Sequence, residues 1–160
     1  MKTILAIIAA AALTGCSPTV LKTTFAPAEA SYINQTGKGS INGQAFLRRN
    51  DGIVVYGAGS EVDLIPATAY ARERMASIYG GGKYAVWHAG FKNDDPAYQS
   101  YMKKTVADGE GRFKFENLAD GTYFITTTVT WFVQYQQGGA LMESVTISGG
   151  QPVQVIMSGQ

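Results

Sequence analysis

The stretch TVADGEGRFKFENLADGTY, residues 105–123, sets the architecture expected of this chain. Phe113 and Phe115 flank Lys114, and that period-2 alternation puts two large apolar side chains on one face of a strand. Asp108-Gly109-Glu110-Gly111 ahead of them and Asp120-Gly121 behind them are strong turn signals. Gly121 allows a positive φ that residues with a Cβ resist. Leu118 falls where it can close one end of a core. The stretch predicts strand, turn and strand within a β domain, with Phe113, Phe115, Leu118 and Tyr123 buried.

The same alternation extends outward in both directions. Downstream, Tyr123, Ile125, Thr127, Val129, Trp131 and Val133 share one face of the longest strand, with Thr-rich positions on the other. Gly138-Gly139 reads as the next turn. Leu141 to Ile147 and Val153 to Met157, separated by Gly149-Gly150, complete a meander. Upstream, Ile41, Gly43, Ala45 and Leu47 share a face, Ile53 to Tyr56 is a short apolar run, and Val62 and Leu64 alternate up to Pro66. Many short strands with turns between them predict an all-β fold, an antiparallel β-sandwich.

Ala67 to Ser100 interrupts that pattern. Ala67 to Tyr79 is the one good helix candidate, rich in Ala, Arg, Glu and Met, and Gly80-Gly81-Gly82 stops it. The stretch therefore reads as an insertion, 67–100, carrying one short helix between two sandwich strands. Its aromatics either fold onto the sandwich or form a recognition surface. Tyr84, Trp87, Phe91 and Tyr98 are the candidate binding residues, because aromatic rings are large, stiff and favoured at interfaces. Long connections are often functional and loop length is thermodynamically cheap. On that reading, a short turn in place of the insertion leaves a folded sandwich that has lost its partner.

Asp108, Gly111, Phe113, Phe115, Leu118, Gly121 and Tyr123 also match a known pattern. The stretch resembles the carboxypeptidase regulatory-like domain, with its Thr-x-x-Asp-Gly-x-Phe-x-Phe-x-x-Leu-x-x-Gly-x-Tyr. The resemblance covers Ser40 to Ser158 apart from the insertion, and implies a prealbumin (transthyretin)-like sandwich. It also implies a role in stability, docking or the binding of carbohydrate or protein, since none of the matched residues is catalytic.

The N-terminus carries a second resemblance. Lys2, the apolar run Ile4 to Leu13, and Leu13-Thr14-Gly15-Cys16 resemble a bacterial lipoprotein signal peptide with its lipobox. The apolar run is shorter than the roughly 20 residues that span a bilayer. The resemblance implies cleavage after Gly15 and lipid on Cys16, the only cysteine. Ser17 in place of Asp then points to the outer membrane. The expected layout is a signal peptide at 1–15, a lipidated tether at 16–39 and the sandwich at 40–160. With Pro18, Pro27 and no sustained periodicity, the tether reads as extended or irregular chain.

Composition narrows the functional classes. The whole chain has 13 basic and 12 acidic side chains, and loss of Lys2 with the leader leaves it near neutral. That argues against nucleic acid, whose phosphates demand a basic surface. His88 is the single histidine, no Gly-x-Ser-x-Gly elbow is present, and no complete Ca²⁺ loop surrounds Asp94-Asp95 or Asp108 and Glu110. No catalytic residue, metal or cofactor is expected. The expectation is a non-enzymatic, lipid-anchored envelope module that contacts a protein partner through 67–100. The alternative is a carbohydrate-binding lipoprotein that uses the insertion's aromatics.

Overall fold

Period-2 alternation in residues 105–133 is realised as a chain that crosses between two sheets twice. The computed structural model describes residues 18–86 and 88–160. Its strands are β1 (Thr36–Arg48), β2 (Val54–Tyr56), β3 (Glu61–Pro66), β4 (Tyr84–Ala85), β5 (Lys103–Val106), β6 (Arg112–Leu118), β7 (Gly121–Val133), β8 (Tyr135–Ile147) and β9 (Pro152–Met157). One sheet has the order β4-β8-β7-β3-β5; in the other, β1 pairs with β2, β6 and β9. The fold is an all-β sandwich.

Asp108–Gly111 carries the chain from β5 in the first sheet to β6 in the second, and Asp120 begins the return to β7. The Asp108 carboxylate fastens the first crossing by accepting from the backbone N–H of Glu110 (2.9 Å) and Arg112 (2.8 Å). Gly111 has φ +73°, and a Cβ there would lie 2.4 Å from the Ala45 carbonyl oxygen, so only glycine fits. At the second crossing, Tyr123 donates its hydroxyl to the Ala119 carbonyl (2.8 Å), and Asp120 accepts from the N–H groups of Gly149 and Gly150.

Between the sheets lie Ile41, Ala45, Val62, Leu64, Phe113, Phe115, Leu118, Tyr123, Ile125, Val129, Leu141 and Ile147, all buried as the alternation requires. Two details differ from the sequence reading. β9 pairs with β1 in parallel, Ile41 opposite Val153, so the closing strands are not a simple meander. Nor do Gly138-Gly139 turn the chain. They sit inside β8 opposite Thr130 and Val129, and the turn is at Gln134, which has φ +61°.

The outer face of the five-stranded sheet is covered by a third layer. Helix α1 (Pro27–Ala30) and helix α2 (Ala69–Tyr79) belong to it. Thr68 caps α2 by accepting from the Ala71 N–H (3.1 Å), and Gly80, at φ +59°, ends it. Tyr70, Ala71, Met75 and Tyr79 pack with Tyr98, Leu21, Phe25 and Ala30 over Ile65 and Phe124 of the sheet. The insertion is therefore a structural layer and not a free loop.

Residues 18–39 are likewise folded, which corrects the expectation of a tether. Leu21, Phe25, Ala30 and Ile33 are buried, and β1 already begins at Thr36. Apolar residues spaced along an irregular segment give no period to read, yet these four find hydrophobic sites. Thr19 forms a parallel bridge to Phe91, donating to the Gly90 carbonyl (3.0 Å) and accepting from the Lys92 N–H (2.9 Å). The Asn93 side chain both donates to and accepts from the Leu21 backbone. The Glu73 carboxylate accepts from the Thr23 hydroxyl (2.5 Å) and from the Lys22 and Thr23 N–H groups. Those bonds hold its pKa below the usual carboxylate value. Cys16 and the lipobox lie outside the described residues.

Candidate functional site

The β7–β8 ribbon outruns the rest of its sheet. β3 pairs only with Tyr123 to Thr127, whereas β7 and β8 stay paired out to Val133 and Tyr135. Alternation puts Trp131, Val133, Tyr135 and Gln137 on one face of this overhang, and Thr128, Thr130, Phe132 and Gln136 on the other. Facing the first set is the turn between β1 and β2, with Arg48, Arg49, Asn50 and Asp51. Tyr84 of β4 and Ser158-Gly159 complete a groove of about 630 Å³. That volume is typical of small-molecule sites, roughly 300–1,000 Å³.

Hydrogen bonds fix several of the lining side chains. Trp131 packs against the core and donates its indole N–H to Gln137 Oε1 (3.0 Å). Tyr84 donates its hydroxyl to the Gly138 carbonyl (3.0 Å), which fixes the ring across the strand. Close backbone approach explains the glycines that had looked like a turn. A Cβ on Gly138 would lie 2.1 Å from the Val129 oxygen, and one on Gly139 would lie 2.4 Å from the Ala85 oxygen. Opposite, Arg49 pairs with Asp51 (2.6 Å), and Gly52 N–H bonds back to the Arg49 carbonyl (2.9 Å). Arg48 donates to the Gly52 carbonyl (3.2 Å) and keeps further N–H groups for solvent or ligand.

Tyr135 is 66% exposed and Val133 41%, so apolar and aromatic surface is offered to solvent beside charged and amide groups. Such a groove can stack a flat, weakly polar ring face and hydrogen-bond the ring's periphery. Among the described residues, no three His, Cys, Asp or Glu side chains gather as a metal site. His88 accepts the Gly90 N–H at Nδ1 (3.0 Å), and its ring lies 4.6 Å from that of Phe91.

The four aromatics expected to bind are not brought together. Tyr84 lines the groove. Tyr98 is 3% exposed and packs edge-on to Tyr70 and Phe25, at 5.0 and 5.5 Å, so it belongs to the interior. Phe91 is half-buried under the Arg74 guanidinium, 4.3 Å from its ring centre, and lies outside the groove. Trp87 lies outside the described residues. Sequence reasoning missed Trp131, Tyr135, Arg48 and Gln137 as a group. In the sequence Trp131 alternates with the core positions, and a turn at Gln134 in place of Gly138 extends β8 into the ribbon that carries these residues. The available signal was the run Trp131-Phe132-Val133-Gln134-Tyr135, too aromatic for a strand end leaving the core.

No protein-family model matches this sequence, and no curated protein matches it. Among solved structures it is similar to a Pseudomonas aeruginosa protein provisionally described as carbohydrate binding. The two are 30% identical over 85% of this chain and 98% of that one, with a TM-score of 0.73. The chain belongs to the same family as that protein. Similarity also extends to the major pilin subunit of Bacillus cereus, at 19% identity over 79% of this chain and 30% of that one, with a TM-score of 0.44. A minor pilin of Streptococcus agalactiae is 16% identical over 79% of this chain and 45% of that one, at a TM-score of 0.39. The Pseudomonas protein shares nearly its whole length with this chain.

Proposed function

We propose that this protein is a non-enzymatic carbohydrate-binding module of the bacterial outer membrane, held there by lipid on Cys16. The observation that carries the reading is the groove, where Trp131, Tyr84 and Tyr135 stand beside Arg48, Asp51 and Gln137. A sugar ring presents C–H faces that pack on aromatic rings and hydroxyls that each donate and accept. The groove supplies both kinds of partner. The description given to the Pseudomonas relative supports the same ligand class, as does the resemblance of residues 105–123 to carboxypeptidase regulatory-like binding domains. A protein partner held by the insertion has less support, because Tyr70, Tyr79 and Tyr98 are buried in the covering layer.

Tyr135 has mostly exposed surface to lose, so Tyr135→Ala spares the fold and removes one wall. Affinity electrophoresis through gels containing bacterial polysaccharide should show the parent retarded and this variant running about tenfold less retarded, the equivalent of about 1.4 kcal/mol. Equal retardation of both proteins would move the site away from the groove. The anchor is tested separately by intact mass. Membrane-extracted protein is expected to begin at Cys16 with acyl mass added, and a mature Cys16 without it sinks that half of the reading. Since the chain is fastened from Thr19 onward, lipid on Cys16 holds the domain close to the bilayer and not on a long tether.

A further inference from the structure

Three buried side-chain polar atoms among the described residues have no hydrogen-bond partner: Asp63 Oδ1, Arg74 Nε and Tyr98 Oη. All three residues line the same cavity of about 250 Å³, at the edge of the covering layer over β3, β5 and β7. Met75, Ile78, Tyr79 and Met102 give it apolar walls. Buried polar groups are ordinarily paired, so three orphans around one space mark a place for something absent from the chain itself.

The nearest protein groups cannot fill that need. Lys104 Nζ bonds Glu61 at 2.6 Å and stands 3.5 Å from Asp63 Oδ1, too far for a good hydrogen bond. Arg74 pairs with Asp94, and its guanidinium lies over the Tyr98 ring, 4.7 Å from the centre, stacked on the ring face. Burial raises the Asp63 carboxyl above its usual value against the opposing pull of Lys104. Burial, with Asp63 nearby, pushes Tyr79 up to about 12.

Both cations beside the cavity are already engaged, Arg74 with Asp94 and Lys104 with Glu61 and Asp63. An anionic occupant would therefore meet no free countercharge. What is missing is a donor for the carboxylate oxygen, an acceptor for the guanidinium N–H and either one for the phenol. Hydroxyl groups do both. The space is below the range of drug-sized sites but holds a single small ring. We propose that this cavity binds one neutral, polyhydroxylated molecule of the size of a monosaccharide, at a site separate from the groove and independent of it.

The test is titration of labelled parent protein with D-glucose, D-galactose, D-mannose and glycerol, read by amide chemical shifts, beside a thermal melt. At least one sugar is expected to give saturable shifts at Asp63, Gln99 and Thr126. Tyr98→Phe should weaken it about tenfold, the loss of one hydrogen bond, without lowering Tm, because the hydroxyl it removes is unpaired in the free protein. Tyr135→Ala should leave this binding unchanged, which separates failure of this site from failure of the groove. Two results overturn the proposal. One is no saturable shift at these amides with any of the four probes. The other is a Tyr98→Phe protein that melts lower and binds unchanged, the signature of ordered water alone.

Discussion

Replacing residues 67–100 with a short Gly/Ser turn is expected to leave no cooperatively folded domain. The sequence by itself points the other way, since longer or shorter loops cost little entropy. The structure reverses that expectation because the segment carries buried Tyr70, Met75, Tyr79 and Tyr98. Burial of each such side chain contributes about 1.5–3 kcal/mol, so the four together reach about 6–12 kcal/mol. A domain's whole stability is about 5–15 kcal/mol. The replacement also uncovers Ile65 and Phe124 and removes Glu73 and Asn93, which hold residues 21–23 in place. Urea denaturation followed by circular dichroism decides the matter. A cooperative transition near the parental midpoint would show that the sandwich stands without its third layer.

Phe113→Ala should cost about 3–5 kcal/mol, the usual loss for a buried phenylalanine. Its position argues for the upper end. The ring lies over Gly43, where even a Cβ would come within 2.2 Å of it, and stacks edge-on to Phe115 at 6.2 Å. Gly43 has no side chain with which to fill the space left behind, so the cavity persists. Tm should fall by about 10 °C or more. A melt within a degree or two of the parent would contradict the packing described for β6.

What the sequence made legible follows from period and turn chemistry. Ile41, Ala45, Phe113, Phe115, Tyr123, Ile125 and Val129 were readable as core because strand side chains alternate, and one buried face leaves a period of two. The α2 helix was readable from composition and its terminal glycines. Leu21, Phe25 and Ile33 were not readable, because isolated apolar residues in irregular chain have no period and their burial depends on distant partners. The candidate groove was legible only through Tyr84. Its other walls, Trp131 and Tyr135 on the ribbon and Arg48 at the end of β1, meet only after the sheets have packed.

By itself, then, the sequence determined the all-β class, the inward face of most strands and the turns at Asp108–Gly111 and Asp120-Gly121. These are local properties, carried by neighbours a few residues apart. Only the tertiary structure decided that residues 18–34 and 67–102 form a third layer, that β9 lies parallel to β1, and that the turn falls at Gln134. It alone brought Asp63, Arg74 and Tyr98 around one cavity. The reason is the same in each case. These features depend on which surfaces remain to be covered once the two sheets have closed, and a face left open by one segment is filled by another that local patterning does not couple to it.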